Sequence, residues 1–203
     1  MTAHRSVLRA ALAAAAVSAA FVAFAQSGAK LPADINGKSL ARLPYVTRQD
    51  VSERLANTFA RNGQPTDPIT GPLAFASYNV PVATALLDLH DGSVGKSSSL
   101  NPHVRELAIM VACRETNYNL EFNGHEAAAV KAGVDQKVIE VVRTGGSLKG
   151  LDDADAAVIQ FGRELIGKRN MSSETFAKVK TLYGDKGAMD MVAVMSTYAV
   201  SGF

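Results

Sequence analysis

Residues 101–134 read NPHVRELAIMVACRETNYNLEFNGHEAAAVKAGV, and this stretch decides the fold. Asn101 is an N-cap type, and Pro102 sits where a first helical residue has no use for its N–H. Leu107, Met110, Val111 and Arg114 then recur along one helical side, which predicts a helix from about Pro102 to Arg114. Glu115-Thr116-Asn117 reads as a turn. A second helix is expected from about Tyr118 to Lys131, stopped at Gly133, where a left-handed residue ends helices without a Cβ clash. Two helices joined by so short a turn must lie side by side and antiparallel, so this segment predicts a helical hairpin.

Outward from the hairpin the signals stay helical. Asp135 caps a short helix through Val138, Val141 and Val142, ended by Gly145-Gly146. Asp153, Ser172 and Asp185 are read as caps of three more helices, roughly Ala154–Lys168, Ser173–Leu182 and Lys186–Val200. Upstream, Thr47 and Asp50 have capping-box spacing, and Val51, Leu55 and Phe59 follow at helical intervals, predicting a helix from about Arg48 to Arg61. A further segment starts near Leu73, restarts at Pro81 and runs through Ala85, Leu86 and Leu89, with a Gly/Ser linker from Gly92 to Ser99. No run alternates convincingly as a strand. The expectation is an all-α domain over 47–203, a bundle of about seven to eight helices built from helical hairpins.

The N-terminus has a different character. His4, Arg5 and Arg9 precede an almost wholly apolar run from Ala10 to Phe24, and Ala23-Phe24-Ala25 has small-x-small spacing. That is the layout of a secretory signal peptide over 1–25, too short for the roughly 20 apolar residues of a spanning helix. A periplasmic or secreted protein with no stable membrane span is expected. Residues 26–46, with Gly28, Pro32 and Gly37, read as an extended arm. The chain carries 21 Lys and Arg against 19 Asp and Glu, and Arg5 and Arg9 belong to the leader, so nothing points to nucleic acid. Cys113 is the single cysteine, which excludes an intramolecular disulfide and leaves stability to packing and subunit contacts.

Chemistry concentrates in the hairpin. Glu121 and His125 are four residues apart and share a helix face, so the carboxylate can bond the imidazole, fix its tautomer and raise its basicity. Glu106, on the preceding helix, can reach His125 from across the hairpin. Pairs of this kind also arise on solvated helix faces, and Glu106 beside Arg105 reads equally as a surface ion pair. Context favours a site: Glu106 lies among Leu107, Ala108, Ile109 and Met110, where a polar group needs an internal partner. The three residues also have spacing a metal could use, but a Glu/His pair is a weak metal motif, and the expectation is a site with no metal and no cofactor.

The pattern Arg105-Glu106-Leu107-Ala108-Ile109, a helix break, Glu121-Phe122-x-x-His125 and Ala132-Gly133-Val134 resembles the carboxymuconolactone decarboxylase family of the AhpD-like superfamily. The resemblance spans about Asn79 to Phe203 and is strongest from Arg105 to Arg143. The peroxidase branch of that superfamily has a Cys-x-x-Cys pair before the histidine, and here those positions hold Tyr118 and Glu121. The branch without cysteines is the one matched. It implies proton-transfer chemistry on a small carboxylate or lactone by His125, Glu106 and Glu121. By its chemistry Arg105 or Arg114 could hold a substrate carboxylate through a bidentate contact, Tyr118 is a further substrate-binding candidate, and a homo-oligomer is expected. A peroxide-reducing enzyme and a non-catalytic oligomeric binding protein are the alternatives. His90 and His103 are expected to be helix-end residues outside the site.

Overall fold

The computed structural model describes residues 32–39, 41–58, 67–69 and 74–201. The expected signal peptide over 1–25 lies outside them. The described residues up to Tyr45 belong to a unit of their own. Within it, Asn36 Oδ1 accepts from the backbone N–H groups of Lys38 and Ser39, and the Ser39 hydroxyl donates to the Leu43 carbonyl. The described residues of this unit form a succession of tight turns.

From Val46 onward the chain forms the second unit, an all-helical bundle of seven helices with no strand among the described residues. They are α1 (Glu53–Thr58), α2 (Val80–Val94), α3 (Pro102–Glu115), α4 (Asn119–Lys131), α5 (Gln136–Thr144), α6 (Asp153–Gly162) and α7 (Ser173–Ser201). No helix among the described residues is long and apolar enough to cross a membrane.

The hairpin starts and stops where the local signals placed it. Asn101 accepts from the Val104 N–H at the head of α3. Gly133 and Gly145 take left-handed φ values of 89° and 69° past the ends of α4 and α5. Asp135 caps α5 by accepting from the Lys137 N–H. α3 is the axis of the bundle: Val104 and every residue from Leu107 to Cys113 are buried. A helix that is apolar nearly all round has to be surrounded. α3 packs against α4, α5, α6 and α7, and its core joins Phe122, Ile139, Phe161, Met191 and Met195 in one cluster. Truncating one such large buried side chain to Ala costs about 2–5 kcal/mol.

Several boundaries depart from the sequence reading. Thr47 and Asp50 do form their reciprocal cap, but it closes a 3-10 turn, Arg48–Asp50, and Val51 is extended. The expected helix from Arg48 therefore breaks, and α1 begins anew at Glu53 beside Ser52, whose hydroxyl accepts from the Leu55 N–H. α2 runs on through Gly92 and Ser93 to Val94, because the buried Ser93 hydroxyl bonds back to the His90 carbonyl. The linker starts only at Gly95. Asp152, not Asp153, caps α6, and Asp185 pairs with Lys180 instead of capping a helix. α6 continues as a π-helical segment, Arg163–Lys168. Ser172 caps α7 as expected, accepting from the Thr175 N–H. α7 is bent where Gly184 leaves helical geometry, with φ 70° and ψ −179°.

Gly162 sets how closely α6 approaches the axis. A Cβ there would lie 2.3 Å from Val111 Cγ1 and 3.1 Å from Met195 Cε. Gly162→Ala must push α6 off α3 and α7, and a loss of about 1–3 kcal/mol is expected from such overpacking. Urea unfolding of the variant beside wild type measures it; equal midpoints would show that the contact is slack.

Candidate functional site

The site follows from how α3 hands the chain to α4. The Tyr118 N–H donates to the Cys113 carbonyl at 2.7 Å, and Asn117 takes a left-handed φ of 56°. Asparagine tolerates that conformation better than most residues. The turn folds α4 back along α3, and one face of α4 brings Glu121 and His125 against the side of α3 that carries Glu106.

The three side chains meet. His125 Nδ1 lies 2.8 Å from Glu106 Oε2, and His125 Nε2 lies 3.4 Å from Glu121 Oε2. The imidazole side chain is 22% exposed and the Glu106 carboxylate 13%, so solvent screens them only partly. An imidazole facing a carboxylate at each nitrogen donates through both only when it is doubly protonated. Burial alone pushes the His125 pKa down, but the hydrogen bonds and charges of Glu106 and Glu121 outweigh it and raise the value to about 9. At neutral pH the group is an imidazolium, and the longer Glu121 contact is the weaker of its two restraints.

Other expected residues divide. Arg105 is at the site: its Nε is 4.0 Å from Glu106 Oε1, at the outer limit of an ion pair. Tyr118 sits at the head of α4, and burial together with the Glu121 charge raises its hydroxyl pKa to about 12. Cys113 is fully buried, and burial together with the Glu121 charge pushes its thiol up to about 12. Arg114 is elsewhere. Its Nε donates to the Arg143 carbonyl at 2.9 Å and its Nη1 to Asn117 Oδ1 at 3.2 Å, so the expected substrate contact at the triad has no support in its placement. The side chain points away because α3 turns by about 100° per residue and Arg114 follows the buried Cys113.

Tyr198 was not foreseen. It comes from α7 and presents its ring to His125 edge to face, with centroids 5.1 Å apart and planes at 89°. It is nearly buried, and burial raises its hydroxyl pKa, helped by Glu121 and Glu106. His90 of α2 lies on the same tyrosine, at 6.3 Å between ring centroids. In the sequence Tyr198 is one more member of the buried face Met191, Val194, Met195, Tyr198, and that periodicity reads as core. His103 stays outside the triad, its Nε2 2.6 Å from Asp155 Oδ1 in a tie between α3 and α6.

Chemically, the arrangement stores a proton on an imidazole between two acceptors, beside an aromatic wall and one guanidinium. Among the described residues no group of three or more His, Cys, Asp or Glu side chains is arranged to hold a metal ion. Cavities of about 290 and 330 Å3 open on the surface, and the triad lines neither. Comparison of the chain with family models, with curated proteins and with solved structures gives no match.

Glu106→Gln keeps the shape at Nδ1 and removes its charge, so the His125 pKa should fall from about 9 toward its ordinary 6.5, as followed by NMR titration of the ring protons. A raised histidine pKa gives stability that is whole below pH 6.5 and is lost as pH rises through about 9. The excess stability of wild type over this variant, roughly 3 kcal/mol at most, should shrink across that window. An unshifted titration in the variant would mean that Glu106 does not hold the proton.

Proposed function

We propose that this protein is an exported, cofactor-independent decarboxylase or lactone-processing enzyme of the carboxymuconolactone decarboxylase kind, acting on a small unsaturated carboxylate or lactone. One observation carries the reading: His125 is shared by carboxylates from two helices and keeps its proton up to a pKa of about 9. A general acid must be protonated at working pH and must be held in place, and the raised pKa and the two carboxylate contacts support both. The motifs Arg105–Ile109 and Glu121-Phe122-x-x-His125 support the family assignment by resemblance.

In the proposed reaction the C–C bond to the substrate carboxylate breaks, carbon dioxide leaves, and the electron pair stays behind as a dienolate. The substrate displaces the weaker Glu121 contact and meets His125 Nε2. That nitrogen delivers its proton to carbon, while Glu106 keeps hold of the Nδ1 proton and stabilises the ring through the transfer. Water returns the proton to Nε2. In this reading Arg105, whose Nε is 4.0 Å from Glu106 Oε1, binds the substrate carboxylate. Assembly as a homo-oligomer belongs to the proposal, supported by exposed Leu120, Val130 and Met189.

A second reading, a binding protein in which the triad is a structural clamp, is favoured by the engagement of both imidazole nitrogens. A peroxide-reducing role finds little support. It needs a reactive thiolate, whereas the thiol of Cys113 is fully buried, has a pKa of about 12 and is the only one in the chain.

The test is a turnover screen of the chain lacking residues 1–25 against small carboxylated lactones and organic peroxides. Decarboxylation or lactone turnover is expected, falling as pH rises through about 9, reduced by about 10²-fold or more in His125→Ala and Glu106→Gln, and unchanged in Cys113→Ser. Full activity in both triad variants would refute the enzyme assignment, and thiol-dependent peroxide turnover lost in Cys113→Ser would establish the peroxidase instead.

A further inference from the structure

We propose a second ligand site, separate from the triad: the cavity at the start of α4 binds a small oxyanion. This cavity, of about 330 Å3, is lined by Arg114, Asn117, Asn119, Phe122, Asn123 and Arg143, two guanidiniums and three amides with no carboxylate among them. Arg114 is the anchor. Its two hydrogen bonds, to the Arg143 carbonyl and Asn117 Oδ1, fix the guanidinium plane, and both acceptors are neutral, so its charge has no carboxylate partner among the described residues. A half-buried cation held rigidly by neutral groups, with N–H donors to spare, is suited to a bidentate oxyanion.

The other walls add hydrogen-bond donors. Accepting from Arg114 through Oδ1 leaves Asn117 with its amide N–H groups to donate. Asn119 and Asn123 are one turn apart on α4, and both are exposed at this wall. Arg143 leans over Phe122, 4.9 Å from the ring centroid, and is tied to Glu126 and Glu140, so it supplies shape and donors more than net charge. The positive end of α4 adds to the field, since Tyr118 provides no side-chain cap there. The chemistry selects a carboxylate or phosphate group, and none of it depends on the reaction proposed for the triad.

Calorimetric titration of the full chain at constant ionic strength, with inorganic phosphate and with malonate as probes, tests the site. Saturable binding of at least one probe is expected, and the probe that binds tells phosphate from carboxylate. Asn123→Asp places a negative charge in the cavity at an exposed position and should weaken binding at least about tenfold, as should Arg114→Gln. Thermal unfolding checks that each variant is folded; should Arg114→Gln unfold, Asn123→Asp decides. Heats that never saturate for either probe, or binding untouched by Asn123→Asp, would overturn the proposal.

Discussion

A carboxylate on the helix at the centre of the bundle is the constraint from which the rest follows. α3 is surrounded by four other helices, and Glu106 sits on it one residue before an unbroken run of buried apolar side chains. Leaving such a group unpaired costs several kcal/mol, so the fold must bring it a donor. His125 is that donor, and it arrives only because the turn at Asn117 folds α4 back against α3. Glu121 then faces the far nitrogen of the same ring, and the Tyr198 ring closes its flank. The hairpin, the left-handed asparagine and the aromatic wall answer one electrostatic demand.

Sequence reading reached those parts of the fold whose causes are local. Asn101-Pro102, Gly133, Asp135 and Gly145 each act through their own backbone or the next turn, and helix ends lie beside them. Competition between neighbours was harder to read. Thr47 and Asp50 made their cap, yet Ser52 offered another start, and the chain used both with a break between. The choice of Asp152 over Asp153 at α6 turns on one residue of backbone register, below the resolution of pattern reading.

The triad was legible for a comparable reason: Glu121 and His125 are related by helix period, and Glu106 needed only one hairpin to reach them. Tyr198 lies 73 residues from His125 and approaches through tertiary packing of α7, so no spacing rule connects the two. Arg114 shows the opposite case. Its guanidinium suited a substrate carboxylate by charge, but helix rotation carried its side chain to the carbonyl end of α5. Charge alone names candidates; rotation about the helix axis decides which of them share a space.

Cys113 lies inside α3 with no exposed surface and no second thiol in the chain. Such a molecule has no internal cross-link to form, shuffle or lose, so its refolding asks nothing of an oxidant or an isomerase. Its ordered state is correspondingly indifferent to reductants such as dithiothreitol or glutathione, and the same native packing can be reached in an oxidising or a reducing compartment.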